Sequence, residues 1–401
     1  MNWRVLSMAR LLIVGVLLLA ASSCTTQPEV AAESPKACPW PYGCGVRPEM
    51  VPEIPKIEGR AALPVDTPAL GPPSGSKLGN EINGRKLPFV DQPAQGFSAM
   101  LNAGEPNTYW AMTDNGYGSQ ANSSDFLLRM YRIHANFEPG RGRSGRIWID
   151  GWITLRDPDR HIPFPIKNEN TEDRLLTGAD FDPETVQRDP AGELWFGDEF
   201  GPFLLHTDAT GRVLEAPFPL PGVNAPENPD LGSPKTANLL SSTGFEGMAI
   251  SEDGRFLYPV LGGALADDPD QRRRFIYEFD LQRKRYTGED WQYHTDDPKS
   301  TVTDLSPLVG DPQHRLLLIE HRRATEDSVQ FAKVYLVRLD QVDASGFLVK
   351  HRIFGLPNIQ LESILAIGDR RVVVLDDNDF PYTTKDTEAL IIQLDDGYRG
   401  S

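Results

Sequence analysis

The sequence predicts an all-β fold, a β-propeller, on three observations. Glycine and proline are abundant, at 35 and 34 of 401 residues. Few stretches hold a 3.6-residue apolar period. One strand, turn and strand pattern with acidic residues at its ends returns along the chain. Together these favour many short strands joined by turns.

The pattern is densest at residues 178–184 and 194–202, where Asp180, Asp182, Glu184, Asp198 and Glu199 flank a turn at 189–192. It returns at 96–115, 245–260, 303–320 and 361–378. In register, the first polar positions are Ser98, Asp180, Glu246, Asp304 and Glu362. The second are Asp114, Asp198, Gly262, Glu320 and Asp376. Pairs that lie 16, 18, 16, 16 and 14 residues apart read as hairpins with a variable turn, and Gly262 is the one departure.

Taken in order, residues 1–23 read as a targeting segment, with Arg4 and Arg10 before an apolar core at 11–21 that is too short to span a bilayer. Residues 21–24, Ala-Ser-Ser-Cys, are similar to a lipobox with Ala21 in place of the usual Leu, so Cys24 is expected to carry lipid; an ordinary secretory signal is the alternative. Cys38 and Cys44 flank a Pro-rich loop that a disulfide would close in an oxidising compartment, or they remain free thiols. Residues 24–77 read as a disordered Pro-rich tether, and the folded domain is expected over 78–401.

Within that domain, 78–82 and 86–90 read as an opening strand pair, and 126–133 and 146–155 as further strands. Residues 156–176 and 215–240 read as loops. Residues 275–280, 334–339 and 389–394 are alternating outer strands. Units of about four strands, roughly 60 residues apart, fit a propeller whose first strands line a central channel. Five units are clear, and a sixth is sought at 126–165, so five to seven blades are expected with six favoured. A sandwich of the same strands is the alternative.

A net charge of −17 argues against a nucleic-acid partner and suits a cation-loaded protein. Acids at matching repeat positions would repel one another unless a cation compensated them. Asp180, Glu246, Glu320 and Glu362, with Asp114 and Asp376, are therefore expected to hold calcium, a hard cation that takes oxygen ligands. The seven histidines show no paired ligand spacing for softer metals. Asp198, Glu199 and His206 are the expected catalytic residues, and Arg129, Arg322 and Arg323 the expected partners of a substrate anion. The run Arg272-Arg-Arg274 is a further basic candidate or a solvated loop. No Gly-x-Ser-x-Gly elbow is present, which weakens serine-esterase chemistry at Ser98.

Residues 114–132, 176–184, 197–206, 244–249 and 376–381 together resemble the bacterial phytase-like family described as having esterase-like activity. The resemblance spans nearly all of 78–396. It implies a propeller related to the calcium-dependent phytases and a secreted or envelope location. Where relatives often carry an acid followed by Asp-Asn after the fourth repeat, this chain has Glu320-His-Arg-Arg323. The expected function is an envelope-anchored, calcium-dependent hydrolase of phosphoesters or related esters. It would act as a monomer and meet the membrane through its lipid alone. The alternative is a non-catalytic propeller lipoprotein, stabilised by calcium, that binds a ligand or protein partner.

Overall fold

The computed structural model describes residues 55–140, 143–232, 236–322 and 330–394. Among them there are strands and turns and no helix. β1 (Lys56–Leu63) comes first, followed by the two-residue strands β2 (Pro68–Ala69), β3 (Glu81–Ile82), β4 (Arg85–Lys86) and β5 (Gln92–Pro93). β6 (Phe97–Asn102), β7 (Thr108–Thr113), β8 (Arg129–Asn136) and β9 (Gly145–Thr154) make the first antiparallel unit. The second is β10 (Pro183–Arg188), β11 (Leu194–Asp198), β12 (Phe203–Thr207) and β13 (Phe218–Pro219). The third is β14 (Phe245–Ile250), β15 (Phe256–Leu261), β16 (Arg273–Asp280) and β17 (Arg285–His294). The fourth is β18 (Thr301–Pro307), β19 (Leu316–Arg322), β20 (Phe331–Val342) and β21 (Leu348–Pro357). β22 (Leu361–Gly368), β23 (Arg371–Asp376) and β24 (Thr387–Gln393) start the fifth, and β1 completes it, Lys56 lying opposite Gln393 and Leu63 opposite Thr387.

The units close on themselves. Each first strand packs on the next, β6 on β10, β10 on β14, β14 on β18, β18 on β22 and β22 on β6. Five apolar clusters fill the five junctions, which is the layout of a β-propeller. The middle strands show how the sequence dictates this. In β19, Leu317 and Ile319 enter one junction while Leu316 and Leu318 enter the other. In β23, Val373 and Leu375 face one neighbour and Val372 and Val374 the other. A strand covered on both faces must be apolar throughout, which is why these segments read as unbroken hydrophobic runs.

Two expectations are corrected here. Residues 126–165 do not form a sixth unit, because β8 and β9 are the third and fourth strands of the unit that β6 begins. The fold also starts before residue 78: β1 lies inside the expected tether, with Ala61 and Leu63 fully buried. It pairs with β24 on one side and, through Ala61 and Ala62, with Gly145 and Arg146 of β9 on the other. Cys24, Cys38, Cys44 and the targeting segment lie outside the described residues.

Candidate functional site

Every first strand opens with the same irregularity. The pairing shifts between Phe97 and Ala99, Pro183 and Thr185, Phe245 and Gly247, Val302 and Asp304, and Leu361 and Ser363. The skipped residues are Ser98, Glu184, Glu246, Thr303 and Glu362. A bulge leaves one residue unpaired and re-aims its side chain, so these five form one ring of equivalent positions at the same end of the fold. A second ring lies just past each pair. The backbone N–H groups of Asp114, Glu199, Gly262 and Asp377 donate to the carbonyls of Gly96, Asp182, Gly244 and Gln360 at 2.9, 2.9, 2.9 and 3.0 Å. His321, paired with Thr301, holds that place in the fourth unit.

The two rings converge on a carboxylate cluster. Oxygens of Asp182, Glu184 and Glu199 lie within 4.8 Å of one another. Burial pushes Glu184 well above the usual carboxylate range, helped by the charges of Asp182, Glu199, Glu246 and Asp114. Burial, then Glu246 and Asp182, raise Glu199 likewise, and burial with Asp377 and Asp182 raises Asp114. Asp182 is raised by burial, although Asn115 bonds both its oxygens, through its backbone N–H at 3.0 Å and its side-chain amide at 2.5 Å. Glu199 Oε1 is buried without a hydrogen-bond partner, and Glu199 also shares a hydrogen bond with Glu246. A buried, unpartnered carboxyl oxygen among other carboxyl groups is the arrangement that a bound cation would relieve. The donors are all oxygen, the chemistry of calcium. Gly262 departs from the acidic pattern for a steric reason: a Cβ there would lie 2.3 Å from Glu246 Cγ.

The expected metal ligands divide. Glu246, Glu362 and Asp114 occupy ring positions. Asp180 does not, because its carboxylate accepts the backbone N–H of Lys167 at 2.6 Å and the N–H and hydroxyl of Thr177 at 2.8 and 2.9 Å. The bulge puts Glu184 in its place. Glu320 turns away from the rings, accepting from Tyr293 Oη and Lys350 Nζ at 2.5 Å each and from the Asp296 N–H at 3.0 Å. Asp376 pairs opposite Leu361, one residue before the second ring, and Asp377 takes the ring place. Asp376 accepts the Glu388 N–H at 2.5 Å, and burial raises it well above the usual range.

The expected catalytic residues divide too. Glu199 is in the cluster. Asp198 is 1% exposed, and its two oxygens accept the N–H groups of Asp182 and Gly201 at 2.8 Å each, so it braces the segment that carries Asp182. Burial pushes it up to about 8. His206 lies at the opposite end: it pairs with Trp195 while Asp198 pairs with Phe203, three residues or about 10 Å along the strand. Its ring stacks on Trp195, and its nitrogens lie 2.7 and 3.0 Å from carboxylates of Glu215 and Glu193. It cannot reach the rings as a base.

The expected anion binders are engaged elsewhere. Arg129 is buried, donates to the Leu70 carbonyl at 3.0 Å and lies over Trp152. Arg322 pairs with Asp297 at 3.0 Å, and Arg323 lies outside the described residues. Of the basic run, Arg274 is 3% exposed, burial lowers it to about 10, and its three guanidinium nitrogens donate to carbonyls of Gly262, Gln271, Arg273 and Ser300. Asp182, Glu184 and Asp377 were missed as cluster members. Asp182 and Glu184 lay in the acid-rich stretch already singled out, and Asp377 in the Asp-Asp-Asn run; the signal was their place relative to a bulge.

A family model for the phytase-like group, described as the esterase-like activity of phytase, matches residues 92–380. The chain belongs to this family. The match takes in all five inner strands and both rings. A secreted protein of Arthroderma benhamiae, described as uncharacterized, is 26% identical over 144 residues, which is 30% of this chain and 27% of that protein. The chain thus spans about a quarter of that relative's length. Among solved structures, an exo-β-1,3-galactanase of Phanerochaete chrysosporium is 10% identical with a TM-score of 0.43, over 81% of this chain and 66% of its own. The arabinanase Arb43A of Bacillus subtilis is 12% identical with a TM-score of 0.37, over 73% and 91%.

Proposed function

We propose that this family member is a five-bladed, calcium-dependent hydrolase of phosphoesters or related esters, working as a monomer that is lipid-anchored in the bacterial cell envelope on the periplasmic or extracytoplasmic side. The observation that carries the reading is the Asp182, Glu184 and Glu199 cluster with its buried, unpartnered Glu199 oxygen. Those three would hold the cation, with Asp114, Glu246 and Glu362 around them. When bound, calcium would supply a Lewis acid for an ester or phosphoryl oxygen.

The chain's own residues supply the rest. Asn115 and Asp198 fix Asp182 from two sides. Glu246 borders Glu199 and raises it together with burial, and a carboxylate so placed is suited to taking a proton from water. Arg129, Arg274 and Arg322 are tied to the protein's own carbonyls, aromatic rings or carboxylates. A substrate bearing few charges fits the ring end better than a highly phosphorylated one.

One observation favours the non-catalytic alternative: Asp198 and His206, two of the three expected catalytic groups, serve structural contacts. Calorimetric calcium titration and a chromogenic ester panel decide between the two. Glu199→Gln should weaken calcium binding at least about tenfold and abolish hydrolysis. Calcium binding without turnover on any ester would leave the binding role. Unchanged calcium affinity would remove the site. Anchoring is tested separately by Cys24→Ser, which should move the protein out of the membrane fraction.

A further inference from the structure

We propose that Asp189, Glu193 and His206, at the end of the second unit opposite the rings, form a zinc site. The site stands apart from the calcium rings and does not depend on hydrolysis. A ring nitrogen of His206 and one oxygen from each acid lie within 4.8 Å of one another. One imidazole with two carboxylates is a donor set that zinc takes, whereas the rings offer oxygen alone.

The proton count around His206 carries the proposal. The ring is 2% exposed and lies flat against Trp195, with centroids 3.9 Å apart. Nδ1 lies 2.7 Å from Glu215 Oε1, and Nε2 lies 3.0 Å from Glu193 Oε2. A neutral imidazole has one N–H to give. When Nδ1 donates it to Glu215, Nε2 turns a bare lone pair on a carboxylate oxygen, and a cation between the two resolves that clash. A histidine that ligates through one nitrogen and donates from the other to a carboxylate is the usual arrangement at such metals. Lys284, from the third unit, pairs with Glu215 and holds that acceptor in place.

Asp189 is held in a similar way. Its Oδ1 accepts the N–H groups of Ala191 and Glu193 at 2.9 and 3.0 Å, and its Oδ2 accepts the Trp195 Nε1–H at 3.2 Å. These bonds fix the carboxylate and leave it a lone pair for a metal. Zinc about 2.0–2.2 Å from each donor sets tetrahedral neighbours roughly 3.4 Å apart, so the gap between Nε2 and Oε2 need open by only about 0.4 Å. Glu193, 40% exposed just before β11, can give that much. Asp189, Glu193 and Glu215 with Lys284 leave two negative charges about a neutral ring, which a divalent ion cancels.

The test is calorimetric titration of zinc into the calcium-saturated protein. Wild type should bind zinc, Glu215→Gln about tenfold more weakly, and Glu193→Gln more weakly still, because it loses a ligand and not only its support. Glu252→Gln, at the exposed pair of His314 and Glu252, should match wild type. Zinc should raise the melting temperature of wild type and leave that of Glu193→Gln in place. X-ray absorption at the zinc edge should show one imidazole among oxygen donors. An imidazolium that bridges Glu193 and Glu215 by itself would leave no place for the metal. Wild type would then take up no zinc, or no more tightly than Glu193→Gln, and either result would overturn the proposal. Sulfur ligands at the zinc edge, or a loss in Glu252→Gln equal to that in Glu193→Gln, would overturn it too.

Discussion

Replacing Lys350 by Met should destabilise the protein by about 3 kcal/mol without changing its affinity for calcium. The lysine ammonium lies 2.5 Å from Glu320 Oε1, 2.7 Å from Asp296 Oδ1 and 2.8 Å from the His294 carbonyl, with the rings of Tyr293 and Tyr335 at 4.8 and 4.5 Å. Methionine keeps most of the stem and removes the charge. Asp296 retains Lys333 at 2.6 Å, but Glu320, 2% exposed, is left with the Tyr293 hydroxyl and one N–H. Breaking a buried pair costs about 3–5 kcal/mol, and the lysine's 20% exposure argues for the lower figure. In the double variant Lys350→Met, Glu320→Gln the stranded charge is gone, so about 2 kcal/mol should return as coupling. Guanidinium unfolding at saturating calcium, followed by tryptophan fluorescence, measures both. Losses that add within about 0.5 kcal/mol would refute the pairing. A lowered calcium affinity in Glu320→Gln would restore that residue to the metal site.

Two further outcomes follow from the cluster and its surroundings. Asp180→Asn should leave calcium affinity intact while costing about 1–2 kcal/mol of stability, since it weakens acceptance from Lys167 and Thr177; Glu184→Gln should do the reverse, and calorimetry with thermal melts separates them. Asp304 is pushed up to about 7 by burial, against bonds from Ile364, Ser306 and Leu305 that lower it. Its unfolded value is about 3.9, so between about pH 4 and pH 7 the folded state binds the extra proton, and stability falls as pH rises. Relative to Asp304→Asn, the wild type should lose at most about 1.4 kcal/mol per pH unit across that window and be level outside it. A difference independent of pH would contradict the burial.

Much of the architecture was legible because it is local. A hairpin of two apolar strands around a turn is written in contiguous residues, and the sequence pairs the first two strands of all five units, although it places the first strand of the second unit at 178–184 where β10 runs Pro183–Arg188. Register was not legible at the decisive point. A bulge adds a residue to one strand only, so counting alternate positions from the turn arrives one place off or chooses the wrong acid: Asp304 where Thr303 is skipped, Asp180 where Glu184 is skipped. In the 178–184 stretch three acids compete, and only the pairing of Pro183 with Asp198 decides among them. Glu320 shows the same limit, since a strand-end acid serves a ring or a buried lysine equally well until Lys350, 30 residues on, is placed beside it. β1 was missed because its partner β24 lies more than 320 residues away and its own composition continues the Pro- and Glu-rich segment before it.

That pairing of β1 with β24 fixes an order of events during synthesis. Of the described strands, β1 leaves the ribosome first, and β24, which it must join, leaves last. β1 can meet β9 early, through Ala61 and Ala62, but the apolar cluster that takes in Ala61 and Leu63 stays incomplete until Val373, Leu375 and Ala389 arrive. Until then a nascent or truncated chain carries the edge of β1 that β24 covers, the kind of surface that recruits other chains. Closure is a single late step across the greatest sequence separation in the fold, and its slowness is set by topology. The envelope location proposed for this protein would place that step after export, so that the chain must be delivered with β1 and β24 still unjoined.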